Sequence, residues 1–195
     1  MRDVVPTVRG PEAALRALRD AAPLTHCVTN AVVTGFTANA LLSLGASPAM
    51  VDIEGEAGIF AGVADGALIN LGTPNPQQQA SAREIVAATR RWVLDPVAVG
   101  MLPIRTALAA ELVAARPAII RGNASEIAAV AGTGAGGRGV DSIDDPDSVH
   151  AAAALAEMFF ANGWVASTTA SKPGRAARSP STPPKPPTRT SPRRS

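Results

Sequence analysis

A chain of 195 residues with 46% apolar side chains has the length and apolar content of one α/β domain; Met1 to Gly10 has no apolar core of signal-peptide length and no run reaches about 18 apolar residues, so neither secretion nor membrane spanning is expected. Its charge is divided: residues 1–168 carry eleven Arg, no Lys and all sixteen acidic residues, a net of −5, whereas residues 169–195 carry five Arg, two Lys and no acid, a net of +7. With aromatics at 3%, no Tyr and a single Cys, the composition argues against a nucleic-acid-binding face, a disulfide framework and a Cys-based zinc site, and it fits a cytoplasmic protein.

Along the chain, short apolar runs alternate with Ala/Leu-rich segments of helical period. Pro11 to Ala22 is predicted as a helix, with Leu15 and Leu18 on one face, and Thr25 to Thr29 as a strand. A second helix is expected to begin at Asn30 and to stop at Gly45. Then follow a strand at Pro48 to Val51, a helix at Glu56 to Val63, a strand at Ala67 to Asn70 and a helix at Pro76 to Arg91. Trp92 to Leu94 and Ala118 to Ile120 read as strands on either side of a helix at Thr106 to Ala115. Helices at Ser125 to Ala131 and Asp147 to Ala161 lead to a last strand at Trp164 to Ser167. Continuously apolar strands separated by helices imply a doubly wound, mostly parallel sheet with helices on both faces. Ligands of such sheets bind beyond the C-terminal strand ends, so the polar residues there are the first to weigh. Residues 1–168 form the expected domain. Residues 169–195 hold seven Pro and no Leu, Ile, Val or aromatic side chain, and are expected to be a disordered basic tail. The break falls inside an unfinished βαβ series, so the sheet is expected to be incomplete at its C-terminal end, as a truncation or a frame shift would leave it.

Several motifs fail on context. Gly132 to Gly137 matches a dinucleotide-binding Gly pattern but follows a helix instead of a strand, and the absence of Lys before residue 169 excludes Walker-type phosphate binding. His26 and His150 lack a carboxylate or hydroxyl partner at a recognisable spacing and read as structural. Cys27, inside an apolar strand, reads as a small buried hydrophobe. Two acidic sites are better placed. Asp95 ends a strand and precedes PVAVG, where its carboxylate could hold a hydrated magnesium ion or serve as a helix cap or in a loop turn. Asn123 and Glu126 form N-x-x-E after another strand, a spacing that suits a reciprocal helix cap. With Arg121 beside them, it also suits a metal-bound polyphosphate.

Taken together, Thr25 to Met50 (THCVTNAVVTGFTANALLSLGASPAM), Ala67 to Thr73 (ALINLGT), Val93 to Thr106 (VLDPVAVGMLPIRT), Ile119 to Gly132 (IIRGNASEIAAVAG) and Gly139 to Ser142 (GVDS) resemble the hydroxyethylthiazole kinase family of the ribokinase-like group. The N-x-x-E element belongs to the wider group. The Thr-Asn start, the ANALLSLGASPAM block and the RGNASEI block narrow the resemblance to the thiazole enzymes, and the Met50 block argues against a hydroxymethylpyrimidine kinase or a nicotinamide-hydrate dehydratase. The resemblance implies ATP-dependent phosphorylation of the hydroxyl of 4-methyl-5-(2-hydroxyethyl)thiazole in thiamin biosynthesis or salvage, by a homotrimer with sites at subunit interfaces. It implies Met50 and Asn30 on the thiazole, Arg121 and Thr168 on ATP, and Asp95 and Glu126 on Mg2+, with no nucleic-acid or membrane partner. Ala98 stands where the family's loop usually has Gly. The family's catalytic base lies in a downstream Gly-rich turn that has no counterpart in residues 169–195, so this chain is expected to be impaired. The alternative is a non-catalytic fragment that binds thiazole or oligomerises with intact subunits.

Overall fold

The computed structural model describes residues 10–132 and the backbone of residues 165–168. Six strands, β1 (Leu24–Val28), β2 (Ser47–Ala49), β3 (Gly66–Asn70), β4 (Trp92–Asp95), β5 (Ile119–Gly122) and β6 (Val165–Thr168), form one sheet in the order β2-β1-β3-β4-β5-β6. Every pairing is parallel. The helices are α1 (Pro11–Ala21), α2 (Thr34–Leu44), α3 (Ala57–Val63), α4 (Pro76–Ala88), α5 (Pro103–Ala114) and α6 (Ala124–Val130). The predicted helix Asp147 to Ala161, His150, the Gly139 to Ser142 block and the basic tail lie outside the described residues.

The strand order reverses at β1, which steps to β2 on one side while the chain later proceeds through β3, β4 and β5 on the other. With right-handed crossovers this places α2 on one face and α3 to α6 on the opposite face. Contacts agree: α3 packs on α4, α4 on α5 and α5 on α6, whereas α1 packs on α2. The core sits beneath the four-helix face. Ala67, Ile69, Trp92, Leu94 and Ile120 alternate along β3, β4 and β5 and meet Ala57 and Ala61 of α3, Ile85 of α4, Leu108 and Leu112 of α5 and Ile127 of α6. Each large side chain so buried contributes about 1.5–3 kcal/mol relative to solvent exposure.

Most boundaries shift by one or two residues from the sequence reading, and three helix boundaries shift further, each for a local reason. The second helix starts at Thr34 and not at Asn30, because the Asn30 side chain accepts a hydrogen bond from the Val32 amide at 2.9 Å and its carbonyl accepts from the Val33 amide at 3.1 Å. Such an Asx turn competes with helix initiation. The helix from Pro76 ends at Ala88 and not at Arg91, since Thr89 is extended and its hydroxyl accepts from the Arg91 amide at 3.2 Å. The helix expected from Thr106 begins instead at Pro103, whose missing N–H and fixed φ suit a first helical position.

Candidate functional site

Parallel pairing fixes which polar side chains can meet. Asn70 is the register partner of Asp95, and Leu94 is that of Ile120, so Asp95 stands beside Arg121 in one row across β3, β4 and β5. The row faces away from Ile69, Leu94 and Ile120, because successive strand residues point to opposite faces. It is joined by hydrogen bonds. Asp95 Oδ2 accepts from Arg121 Nη1 at 2.7 Å and from Asn70 Nδ2 at 2.9 Å, and Asn70 Oδ1 in turn accepts from the Gly72 amide at 2.8 Å. Asp95 is buried, while the Arg121 side chain remains 56% exposed, so the guanidinium is neutralised on one side and open on the other.

Glu126 reaches the same place from the first turn of α6. Asn123 caps that helix, its Oδ1 accepting from the Glu126 amide at 2.9 Å, and Glu126 Oε2 accepts from the Asn123 amide at 2.8 Å. This is the reciprocal cap that the N-x-x-E spacing allows. The other oxygen, Oε1, accepts from the Ala98 amide at 3.2 Å, which ties the loop after β4 to α6. Ala98 is held at φ 56, a left-handed conformation that glycine would adopt without strain, so the backbone here keeps a Gly-like shape despite the side chain. Burial pushes the Glu126 carboxyl above its ordinary pKa, opposed by the Asn123 and Ala98 amides, reinforced by Asp95 and opposed again by Arg121.

Asn30, Asn70, Asp95, Arg121, Asn123 and Glu126 line one cavity of about 290 Å³. It lies at the strand C-termini and includes the point between β1 and β3 where strand order reverses, the expected ligand position in open α/β sheets. A second cavity of about 350 Å³, lined by Thr73, Pro74, Asn75 and residues 102–105, has no carboxylate in its wall. Thus four of the six residues singled out from sequence, Asn30, Asp95, Arg121 and Glu126, share one cavity. Met50, half-buried just after β2, is not in its wall. Thr168 ends β6 opposite Gly122. Asn70, to which the sequence reading gives no role, bridges Asp95 to the loop after β3; the one signal for it is a polar residue closing the apolar run ALIN.

The residues read as structural behave so. His26 is fully buried, donates through Nε2 to the Val51 carbonyl at 2.5 Å and packs edge-on against Phe60, with burial lowering its pKa. Cys27 is buried and its thiol is pushed up to about 11. Among the described residues no group of three His, Cys, Asp or Glu side chains is placed to hold a metal by protein ligands alone. Two carboxylates do suit an ion that keeps most of its waters, because Mg2+ commonly takes one or two carboxylates together with phosphate oxygens. Glu126 has one amide on each oxygen, and Asp95 Oδ1 has no hydrogen bond among the described residues, so both retain acceptor capacity.

Comparison with known proteins gives one answer. The model of the hydroxyethylthiazole kinase family matches residues 15–169. Hydroxyethylthiazole kinase of Clavibacter sepedonicus is 59% identical over 145 residues, covering 72% of this chain and 53% of that protein. That of Cronobacter sakazakii is 56% identical over 142 residues, covering 71% and 54%. The solved structure of the hydroxyethylthiazole kinase protein from Pyrococcus horikoshii OT3 superposes with a TM-score of 0.69 at 30% identity, covering 80% of this chain and 59% of that one. The chain spans about half the length of the curated relatives it matches.

Proposed function

The chain belongs to the hydroxyethylthiazole kinase family, and from that premise we propose that the protein serves transfer of the ATP γ-phosphoryl group to the hydroxyl of 4-methyl-5-(2-hydroxyethyl)thiazole, in thiamin biosynthesis or salvage. The observation that carries the reading is the convergence of Asp95, Arg121, Glu126 and Asn30 on one cavity at the strand C-termini. Phosphoryl transfer asks little covalent chemistry of a protein and much positioning and charge stabilisation. Arg121 suits the phosphate side: its guanidinium is oriented by Asp95 and presents its exposed edge to the cavity. Thr168, at the end of the neighbouring strand, is proposed to contact nucleotide. Asn30 and Met50 are proposed to hold the thiazole, on the side of the sheet where β1 and β2 end.

Asp95 and Glu126 are the residues that would hold Mg2+, which when bound neutralises charge on the transferred phosphates. Asp95 also fixes Arg121, and Glu126 fixes the turn at Ala98, so both shape the cavity without an ion. A homotrimer is proposed as the assembly. It is supported by apolar side chains standing in solvent on both faces of the sheet, among them Val32 and Phe36 near the start of α2 and Ile59 and Val63 of α3. Patches of this kind mark association surfaces.

The deciding experiment is an assay of ATP-dependent phosphorylation of the thiazole alcohol, paired with calorimetric titration of the protein with each ligand alone. Saturable binding of both, with Arg121→Ala weakening Mg-ATP and sparing the thiazole alcohol, supports the assignment. No transfer and no binding of either ligand would sink it.

A further inference from the structure

We infer that Gln78 and Glu84 of α4 are positioning residues for the substrate side of this cavity, because together they fix the segment that carries Met50 and the strand end that carries Asn30. The inference rests on the thiazole reading above. Gln78 lies in the first turn of α4, where Asn75 Oδ1 accepts from its amide at 2.8 Å, and its side chain turns inward and is 6% exposed. Burying a carboxamide costs more than burying an apolar group of similar size unless it is hydrogen-bonded. Only one end of it is satisfied, since Oε1 is buried without a hydrogen-bond partner among the described residues, and that end accounts for its presence: Gln78 Nε2 donates to the Thr29 carbonyl at 3.0 Å and to Asp52 Oδ2 at 3.3 Å. Thr29 immediately precedes Asn30, and Asp52 is two residues beyond Met50. One amide therefore links the two segments that bear the proposed thiazole residues.

Glu84, six residues further along α4, completes the tie. Its Oε1 accepts from the Gly55 amide at 2.7 Å and its Oε2 from the Gly58 amide at 3.0 Å. Gly55 lies in the turn before α3, at φ 89, and Gly58 packs so closely that a Cβ there would sit 3.2 Å from Glu84 Cβ. Glu84 thus supplies from another helix the acceptor that the first turn of α3 lacks, since the Glu56 side chain makes no cap bond. With His26 Nε2 on the Val51 carbonyl, the segment from Val51 to Gly58 is held at four points by β1 and α4. No residue of that strap needs to touch substrate. It acts by holding Met50 and Asn30 at a fixed separation, which spares the entropy of ordering them on binding.

The test uses the full chain and the variants Gln78→Ala and Glu84→Ala, with two readouts. Calorimetry gives the Kd of 4-methyl-5-(2-hydroxyethyl)thiazole and, separately, of Mg-ATP. Amide exchange reports the order of residues 51–58. The expected result is faster exchange confined to that segment and a thiazole Kd weakened roughly three- to tenfold, the equivalent of one lost hydrogen bond, while Mg-ATP stays within about twofold. Gln78→Ala and Asp52→Ala are expected to be non-additive in a double-mutant cycle on the thiazole Kd. Unchanged exchange in both variants, or thiazole and Mg-ATP weakening in parallel, overturns the positioning role. Should Gln78→Ala fail to fold, Glu84→Ala decides alone, because its side chain lies nearer the surface. Failure of the unmodified chain to bind the thiazole alcohol instead overturns the thiazole reading, and with it the substrate role of the strap, while exchange still reports whether the strap exists.

Discussion

The two sides of the sheet are finished differently. Across β3, β4 and β5, one face is sealed by α3 to α6 around Ile69, Leu94 and Ile127, all fully buried, and the polar row at the strand ends is tied together by hydrogen bonds among Asp95, Arg121 and Asn70. On the β1–β2 side, neither α1 nor α2 buries a single residue, although α2 reads TGFTANALLSL and is rich in apolar side chains. The difference teaches that apolar content does not by itself produce a core. Where a neighbouring layer exists within the described residues the apolar side chains are interior; where it does not, they wait at the surface, as an association face would require.

Breaking that contrast begins with the largest effect. Leu94→Ala, at a position with 0% exposure between the helices and the sheet, should cost about 2–5 kcal/mol of chain stability, read from the urea midpoint at constant slope. A loss below that range would mean that the sealed side is more loosely packed than its burial indicates. Next is Gly72→Ala, at the junction between the two sides. An added Cβ would lie 2.7 Å from Asn30 Cβ and Cγ, so Asn30 or the loop after β3 must move. Overpacking of this kind costs about 1–3 kcal/mol, and the thiazole Kd should rise with it while Mg-ATP binding is spared. Equal losses for both ligands would show that the two sides of the cavity are not separable.

The third prediction concerns pH. His26 is held below its ordinary pKa of 6.5 by burial, so the unfolded chain binds the proton more readily than the folded one. Its contribution to stability is therefore complete above 6.5 and is lost as pH falls through the depressed value. His26→Gln, which keeps an N–H donor for the Val51 carbonyl without a titrating ring, should flatten stability over that interval in denaturation series at stepped pH. Persistence of the same slope would assign the titration elsewhere.

Two small effects sharpen the comparison. Ala98→Gly should stabilise the chain by about 0.5 kcal/mol: relief of a left-handed alanine, about 1–2 kcal/mol, less the greater chain entropy of glycine, about 0.5–1 kcal/mol. A destabilisation would show that the Ala98 methyl packs better than its backbone is strained. Phe36→Ala, at 75% exposure, should change chain stability by less than about 0.5 kcal/mol yet weaken self-association in sedimentation runs, the reverse of Leu94→Ala. A large stability loss with unchanged sedimentation would show that α2 is held by its own chain.

Most of the strand and helix order was legible in the residues because a parallel sheet covered by helices writes itself as unbroken apolar runs between segments of helical period. Asp95 and the Asn123–Glu126 pair were legible for the same reason: each follows such a run, where the chain must leave the sheet at its ligand-binding edge. What escaped was decided by short polar contacts. Nothing in NAVVTG distinguishes a helix start from the Asx turn at Asn30 that delays it to Thr34, since the choice depends on one side chain finding the Val32 amide. Gln78 and Glu84 look like ordinary helix-surface residues, and only the packing of α4 beneath the Val51–Gly58 segment gives them partners.

By itself the sequence determined the alternation of elements, the position of the polar residues at strand ends and the family likeness, because apolar periodicity and motif spacing are properties of the chain read locally. Only the tertiary structure decided that Asn70, Asp95 and Arg121 form one hydrogen-bonded row, that Ala98 takes a left-handed turn to meet Glu126, and that α2 buries no residue while α4 buries one face. Those outcomes follow from strand register and layer order, which bring together residues some 25 to 50 positions apart, and local periodicity carries no information on which distant residue will stand opposite.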